Sequence, residues 1–319
     1  MQALAFANHL LFGIALFVIS TLLTWCMLRI GIMSMPNRRS SHENPIPNSG
    51  GVAIVLTFLT GFAVFYVMSD EVRLSEFYLA GFAAGAICIA IISLLDDLGH
   101  LRTFTYKLMA QLIAALLLVS FDIVFRRFSV PLVGEIDVGW WGYPLTLLWV
   151  IAMTNIFNFM DGLDGLAGGC GVIVALFFGI ATFVEGSHFV YILCYVLFAS
   201  ALGFLIFNFP RARIFMGDVG SQFLGFGFTN ASFYCSWMRP MRNSCWMQRN
   251  MPGFNIIPAH KITVYIIQYL ITIYITVTIG CWNTFWMIIV FTRTKTAHHK
   301  SIGLKSLVHR WWLVNSTGY

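Results

Sequence analysis

Long runs of apolar residues, separated by short polar segments, dominate this chain. A membrane-spanning helix needs about 20 apolar residues, and successive runs reach or approach that length. Inside the runs, apolar residues are continuous or recur at helical spacing, without the alternation typical of a transmembrane β-strand. The pattern predicts an all-α, polytopic membrane bundle of nine or ten helices. The predicted spans are 5–33, 51–68, 77–95, 107–125, 143–160, 166–184, 188–207 and 219–236, followed by 262–291 as one tilted span or a broken pair.

The amino-acid composition is also that of an integral membrane protein, and it gives no indication of a nucleic-acid partner or of a cysteine-based site. Hydrophobic residues make up 59% of the chain and charged residues only 10%, whereas a soluble domain has roughly 25% charged residues. The formal net charge of +6 does not indicate nucleic acid as a partner, because Lys and Arg of membrane proteins collect near anionic lipid on the cytoplasmic side. The seven cysteines form no CxxC pair and are interpreted as apolar fillers.

The distribution of Lys and Arg predicts the orientation of the bundle. Basic residues lie in the loops 34–49, 96–107 and 208–218, while the loop 69–76 is net acidic. Because short cytoplasmic loops carry the excess of Lys and Arg, we expect the three basic loops to be cytoplasmic. The loop 126–142, with two arginines on the nominally outer side, is the exception.

Five of the 13 acidic residues of the chain fall in three clusters at the ends of apolar runs. Asp96 and Asp97 end one apolar run, Asp161 and Asp164 follow another, and Asp218 precedes a third. A carboxylate beside hydrocarbon costs several kcal/mol unless it meets water, cations or partners. Three such clusters at one membrane face suggest a divalent cation and a phosphate-bearing substrate. Taken alone, the adjacent pair is more typical of a solvated helix end.

The spacing within the second cluster favours a binding site. Asn155, Asn158 and Asp161 recur at i, i+3 and i+6, which places them on one stripe of a helix end, and Asp164 continues the stripe if the helix runs on. The glycines of the segment 162–169 permit a turn and the close backbone approach that phosphate-handling loops need. The alternative is an ordinary glycine-rich turn between two spans.

The aspartates of the first and third clusters can have different chemical roles. Adjacent acids on a helix point about 100° apart, so Asp96 and Asp97 can serve different partners. Asp218 lies between glycines just before a span, and hard oxygen ligands with room for phosphate suit Mg2+ better than zinc. Arg211 and Arg213 either grip a diphosphate or act as positive-inside anchors, and both interpretations remain open.

Three motifs in order carry a family resemblance: DDLG at 96–99, NxxNFMDGxDGLAGG at 155–169 and NxPxARIFMGDVGS at 208–221. Together with the first loop at 35–51, they resemble the polyprenyl-phosphate N-acetylhexosamine-1-phosphate transferases over about residues 5–229. The nearest likeness is to the bacterial O-antigen and enterobacterial-antigen initiating enzymes. The phospho-MurNAc-pentapeptide translocase of peptidoglycan synthesis is a more distant relative.

The resemblance implies an Mg2+-dependent reaction, with Mn2+ as an alternative metal. A UDP-N-acetylamino sugar gives its sugar 1-phosphate to undecaprenyl phosphate, UMP is released, and a lipid-linked O-antigen or other cell-envelope glycan is begun. The active site is then expected on the cytoplasmic face of the bacterial inner membrane, with membrane lipid as a partner and a homodimer as one compatible assembly. The resemblance makes Asp96 and Asp97 catalytic, Asp218 the metal ligand, and the following residues substrate-binding: Asn155, Asn158, Asp161, Asp164, Asn208, Arg213, His42 and His298.

The chain departs from the family pattern at both ends. The first loop has Ser34 where the family has Asp, and Asn48 stands where a cation is usual. After about Thr229 the composition changes, so we divide the chain into a phosphotransferase core, 1–229, and a divergent part, 230–319, with one or two spans and a basic tail. The His298 region is either a solvated tail or a remnant of the sugar-phosphate site. We expect this part to come from a shifted reading frame.

Two other classes of membrane protein compete with this interpretation. A secondary transporter would place acids at mid-span and show inverted hydropathy repeats, and neither is visible. A catalytically dead relative with a scaffold role is the other alternative, suggested by the unusual C-terminal part. A phospho-MurNAc-pentapeptide transferase remains an alternative within the same chemistry.

Overall fold

The computed structural model describes residues 2–31, 33–34, 46–68, 76–100, 104–130, 134–184 and 188–237. Within these ranges the helices are α1 (Gln2–Ile30), α2 (Gly50–Met68), α3 (Glu76–Asp97), α4 (Phe104–Ser120), α5 (Gly142–Met160), α6 (Leu166–Val184), α7 (His188–Asn208) and α8 (Gly217–Trp237). Two short antiparallel pairs join β1 (Met33–Ser34) to β2 (Ile46–Pro47) and β3 (Arg127–Val130) to β4 (Gly134–Asp137). A 3-10 turn, Gly139–Trp141, leads into α5.

The all-α membrane bundle predicted from the sequence is confirmed. Each apolar run predicted before residue 238 coincides with a helix, and in the described ranges α1, α2, α3, α5, α6 and α7 are long and apolar enough to span a membrane. Helix α4 is shorter than the predicted 107–125, because the chain turns at Phe121 and Asp122. The predicted span 262–291, and with it the total of nine or ten, lies outside the described residues. The same holds for the proposed reading-frame change.

Helix α8 is the centre of the described bundle. It packs against α2, α3, α5, α6 and α7, and residues 219–231 are all buried. Its polar residues, which lower its hydropathy, therefore face other helices. Aromatic rings fill the space toward α2 and α3: the Phe58 and Phe223 ring centroids are 5.2 Å apart, and those of Phe82 and Phe226 are 5.9 Å apart.

The starts of α2 and α8 touch backbone to backbone. A Cβ on Gly51 would collide with the backbone of Gly220. In addition, Gly50 N donates to Phe215 O at 3.0 Å, and Gly51 N donates to Met216 O at 2.7 Å. The end of the first loop is thereby fixed beside the segment that leads into α8.

The polar loops collect at one end of the bundle. The β1–β2 pair brings the end of α1 to the start of α2, and contacts described below join the ends of α3, α5 and α7 to the starts of α4, α6 and α8. The three acidic clusters therefore lie together, as the sequence predicted. At the opposite end of the bundle, Arg126 forms an ion pair with Asp122. Asp122 thereby neutralises the charge of one of the two arginines in the loop 126–142, which was the exception to the cytoplasmic excess of Lys and Arg.

Candidate active site

A lysine ammonium lies between carboxylates of two helices at the polar end of the bundle. Lys107 Nζ, in the first turn of α4, is 2.7 Å from Asp96 Oδ2 at the end of α3. It also forms an ion pair with Asp218 Oδ2 at the start of α8. Asn158 Nδ2, near the end of α5, donates to Asp218 Oδ1 at 2.6 Å. Four helices thus supply one side chain each to a group that we call the Lys107 cluster.

The Lys107 cluster is largely enclosed but open on one side. The side chains of Lys107, Asp96 and Asp218 keep 22%, 16% and 16% of their surface exposed. Partial burial lowers the effective dielectric constant, so the charges act on one another and on a bound anion more strongly than in water. The residual exposure of these side chains is compatible with the approach of a phosphate group to the ammonium.

Asp97 faces a different partner from that of Asp96. Its two carboxylate oxygens accept hydrogen bonds from the backbone N–H groups of Asp218 and Val219, both at 3.2 Å. Asn48 Nδ2 lies 3.3 Å from Asp97 Oδ1 as a further donor. The first N–H groups of a helix lack partners within it and carry partial positive charge. Asp97 therefore caps α8 from another helix, and its catalytic role stays a prediction.

Asp161 binds the two N–H groups that come just before those bound by Asp97. Gly217 N donates to Asp161 Oδ2 at 2.7 Å, and Met216 N lies 3.3 Å from Asp161 Oδ1. Burial raises the pKa of the Asp161 carboxyl well above its ordinary value; the Gly217 and Met216 N–H groups oppose this, while the negative charges of Asp97 and Asp218 add to it. The start of α8 is thus held by carboxylates from α3 and from the α5–α6 loop.

Asp164 and Asn208 join the two glycine-containing loops. Asp164 Oδ2 accepts a hydrogen bond from Ala212 N at 3.0 Å. Asn208, only 1% exposed, accepts from Gly165 N at 3.1 Å and donates to Ile214 O at 2.9 Å. Both residues were predicted to bind substrate, which stays a prediction; the contacts found here hold loop to loop.

The other predicted substrate-binding residues are spread more widely. Asn158 belongs to the Lys107 cluster, whereas Asn155 lies one turn deeper, where its Nδ2 donates to Gln111 Oε1 at 2.7 Å. Arg213 is exposed, and its guanidinium carbon lies 5.0 Å from the centroid of the Phe207 ring. His42 and His298 lie outside the described residues.

Sequence reasoning missed Lys107, which it counted only as a loop charge. A lysine in the first turn of a span is typical of an interfacial anchor, so Lys107 itself gave no special signal. The one local signal was Gln111, four residues later in a helix that is mostly apolar. Ser221, at the end of the third motif, and Gln222, just after it, were also missed. Ser221 Oγ accepts from Asn158 Nδ2 at 3.1 Å.

The donor groups fit a magnesium ion that is completed by substrate. No three Asp, Glu, His or Cys side chains converge as a ready metal-binding set among the residues that the structure describes. Mg2+ commonly uses one or two protein carboxylates together with waters and substrate phosphates. Asp218 Oδ2 is buried and lies against the Lys107 ammonium. Asp218 and Asp96 are therefore suitable ligands for such an ion.

Most of the described helices lie in a region that matches a known protein family. Residues 78–236 match the model of glycosyl transferase family 4. The matched region includes α3 to α8 and thus the Lys107 cluster, Asp97 and Asp161. It ends close to the point at which the composition of the chain changes.

Individual relatives include three kinds of bacterial transferase. A probable undecaprenyl-phosphate N-acetylglucosaminyl 1-phosphate transferase of Bacillus subtilis is 36% identical over 210 residues, which are 66% of this chain and 57% of the relative. A phospho-N-acetylmuramoyl-pentapeptide-transferase of Listeria monocytogenes is 34% identical over 56% of this chain and 58% of the relative. A decaprenyl-phosphate N-acetylglucosaminephosphotransferase of Mycobacterium leprae is 35% identical over 64% and 54%. The chain thus spans just over half the length of each.

Proposed function

Because the chain belongs to glycosyl transferase family 4, we propose that it transfers N-acetylhexosamine 1-phosphate from a UDP-sugar to a polyprenyl phosphate and releases UMP. The observation that carries this proposal is the Lys107 ammonium, held between Asp96 and Asp218 at the polar end of a membrane bundle. A lipid phosphate and a water-soluble nucleotide can meet only at such an end. The names of the relatives, which include undecaprenyl-phosphate and decaprenyl-phosphate transferases, support the same chemistry.

The proposed reaction forms one phosphorus–oxygen bond and breaks another. An oxygen of the lipid phosphate attacks the sugar-linked β-phosphorus of the donor, and the electron pair of the broken bond leaves with UMP. The attacking phosphate is largely ionised at neutral pH, so proton removal contributes little. Positioning and charge stabilisation do most of the work in phosphoryl transfer. Lys107 is placed to attract the phosphates, and Asp96 is placed to hold the ammonium.

A divalent cation is part of the proposal on grounds of charge. In the Lys107 cluster two carboxylates, Asp96 and Asp218, face one ammonium. Two phosphate-bearing substrates cannot approach this surface without additional positive charge. We assign Mg2+, with Mn2+ as an alternative, to Asp218 and Asp96 together with phosphate oxygens. When bound, the ion would offset the charge that develops on UMP.

The proposed acceptor is undecaprenyl phosphate, and the proposed donor is a UDP-N-acetylamino sugar. The reaction would begin a lipid-linked cell-envelope glycan, such as an O antigen, at the cytoplasmic face of a bacterial inner membrane. The basic loops at the polar end favour this orientation. The 34% identity with the Listeria monocytogenes protein supports a second candidate, in which the donor carries a MurNAc-pentapeptide.

The test is transfer of radiolabel into butanol-extractable lipid by the purified protein. It uses undecaprenyl phosphate, Mg2+ and a panel of labelled UDP-GlcNAc, UDP-GalNAc and UDP-MurNAc-pentapeptide. Label from one of the first two donors supports the proposal, and label from the pentapeptide donor alone supports the second candidate. Absence of lipid label from every donor, with folded protein, overturns both.

A further inference from the structure

Three amide side chains, two of them buried and the third partly buried, connect α4, α5 and α8 beneath the Lys107 cluster. Asn155 Nδ2 donates to Gln111 Oε1 at 2.7 Å, and Gln111 Nε2 donates to Gln222 Oε1 at 3.1 Å. Gln111 is 1% exposed and Gln222 is 2% exposed. We call these three residues the amide layer.

The amide layer repeats the arrangement of the Lys107 cluster one helical turn deeper. Residues three or four apart lie on the same face of a helix. Each amide is separated by such a step from a cluster residue on its own helix. The pairs are Lys107 with Gln111 on α4, Asp218 with Gln222 on α8, and Asn158 with Asn155 on α5.

Helix α4 is joined to α8 by the Gln111–Gln222 hydrogen bond and by the Lys107–Asp218 ion pair. Its main packing partners are α3 and α5, and α8 packs on the same two helices. The two helices therefore have α3 and α5 as common neighbours, and the Gln111–Gln222 hydrogen bond joins them directly. Helices in a membrane gain little from the hydrophobic effect, so packing and hydrogen bonds determine how they associate.

We propose that the amide layer is a positioning device for the phosphotransfer site, with Gln111 and Gln222 as its central residues. By fixing the register of α4 against α8, it holds the Lys107 ammonium between Asp96 and Asp218. A lysine stem is flexible, so the ammonium can be placed reproducibly only if the helix that carries it is fixed. The catalytic consequence rests on the proposed function, whereas the placement of Lys107 does not.

The experiment compares Gln111→Met and Gln222→Met with the wild type and with Thr229→Val. Methionine keeps the length of the side chain and removes its hydrogen bonds. Thr229 is a matched control, since it is buried on the same helix and its hydroxyl donates to Gly225 O, one turn away on that helix. Two assays are carried out on folded protein. The first gives kcat and KM for transfer. The second gives the rate at which an amine reagent acetylates Lys107 without substrate, determined by mass spectrometry.

The proposal predicts that both methionine variants lower kcat about 10- to 100-fold, as expected for a displacement of about 1 Å, with KM nearly unchanged. Lys107 acetylation should rise several-fold in both variants and stay at the wild-type rate in Thr229→Val. Wild-type acetylation and kcat in the folded methionine variants would overturn the proposal. So would a loss of activity that only follows the folded fraction while acetylation is unchanged.

Two other results of this experiment, an inactive wild type and unfolded methionine variants, also lead to a clear conclusion. If the wild type transfers no sugar phosphate, the proposed function fails, and the acetylation rates alone judge the positioning role. If the methionine variants do not fold, Gln222→Asn replaces them, because it keeps the amide but is one methylene too short to reach Gln111. Faster Lys107 acetylation in Gln222→Asn supports the proposal, and the wild-type rate contradicts it.

Discussion

The carboxylate of Asp97 accepts a hydrogen bond from the backbone N–H of Asp218 at 3.2 Å, across 121 residues of sequence. The acid that ends α3 thus caps the helix that carries the opposing acid of the site. Its neighbour Asp96 instead faces the Lys107 ammonium. Two adjacent aspartates therefore have separate tasks, and their variants should differ in kind.

Replacing the two adjacent acids should separate stability from activity. Asp97→Ala leaves the N–H groups of Asp218 and Val219 without their acceptor, and a lost buried partner costs about 1–3 kcal/mol. We expect a melting temperature several degrees below that of Asp96→Ala, measured by thermal unfolding in detergent. Asp96→Ala should keep near wild-type stability while losing transfer activity. Equal melting temperatures for the two variants would show that Asp97 does not cap α8.

Removing the charge of Lys107 should damage transfer much more than folding. Lys107→Met takes away the ammonium placed to stabilise phosphate charge, and loss of such a group typically costs on the order of 100-fold or more in rate. Arg126→Met is the matched control, because its ion pair with Asp122 is exposed at the opposite end of the bundle and exposed pairs contribute little. The radiolabel assay should show the loss in Lys107→Met and wild-type transfer in Arg126→Met. Similar rates for both variants would remove Lys107 from the site.

Two glycines with left-handed backbone separate two costs of adding a side chain: backbone strain, and steric collision of the new Cβ with its neighbours. Gly99 has φ +78° and open space where a Cβ would stand, whereas Gly217 has φ +71° and its Cβ would press on Asn48 O and Asp97 Oδ2. Gly99→Ala should cost about 1 kcal/mol, the usual penalty for a left-handed alanine. Gly217→Ala should destabilise the protein further and lower transfer, because it displaces the Asp97 cap. Equal unfolding temperatures for the two alanine variants would contradict this packing.

The raised pKa of Asp161 predicts a pH-dependent difference between the wild type and Asp161→Asn. Since the carboxyl binds its proton more tightly when folded than when unfolded, the associated stability is present below the unfolded pKa of about 3.9. It is lost as the pH rises through the raised value. The melting temperature of the wild type minus that of Asp161→Asn should therefore fall from about pH 4 to about pH 8, without Mg2+ or substrate. A difference that rises over this range would contradict the assigned direction.

Metal binding at Asp218 can be tested without turnover. We expect Mg2+ together with UDP-GlcNAc to raise the melting temperature of the wild type more than UDP-GlcNAc alone, because ligands that bind the folded state stabilise it. Asp218→Asn should lose the part of the shift that depends on Mg2+, and excess EDTA should abolish transfer by the wild type. An unchanged Mg2+ shift in Asp218→Asn would assign the ion to other residues.

The helices and the gathering of the acids could be predicted from the sequence. Long apolar runs have few alternatives to a membrane helix, and polar segments between consecutive spans must alternate between two faces. Asp96, Asp161 and Asp218 therefore had to lie at one face if the spans were correct. The ends of the spans were less certain, as α4 shows by stopping at Ser120.

The partners of the acids could not be predicted. Whether Asp97 meets a cation or the start of α8 depends on how closely helices far apart in sequence approach, which no local pattern records. Gln111 and Gln222 likewise belong to separate spans, and nothing in the local sequence of either indicates the other as its partner. Their hydrogen bond follows from packing, so only the structure shows it.

Sugar 1-phosphate transfer can be tested with UDP-GlcNAc labelled with 32P at the β-phosphate. Incubation with purified protein, Mg2+ and undecaprenyl phosphate should move the label into butanol-extractable lipid, with one unlabelled UMP released for each labelled lipid. Such a result requires cleavage of the diphosphate, as sugar 1-phosphate transfer demands. Label that remains in UDP while sugar enters the lipid, or that never reaches the lipid although the protein is folded, would contradict the proposed phosphotransferase.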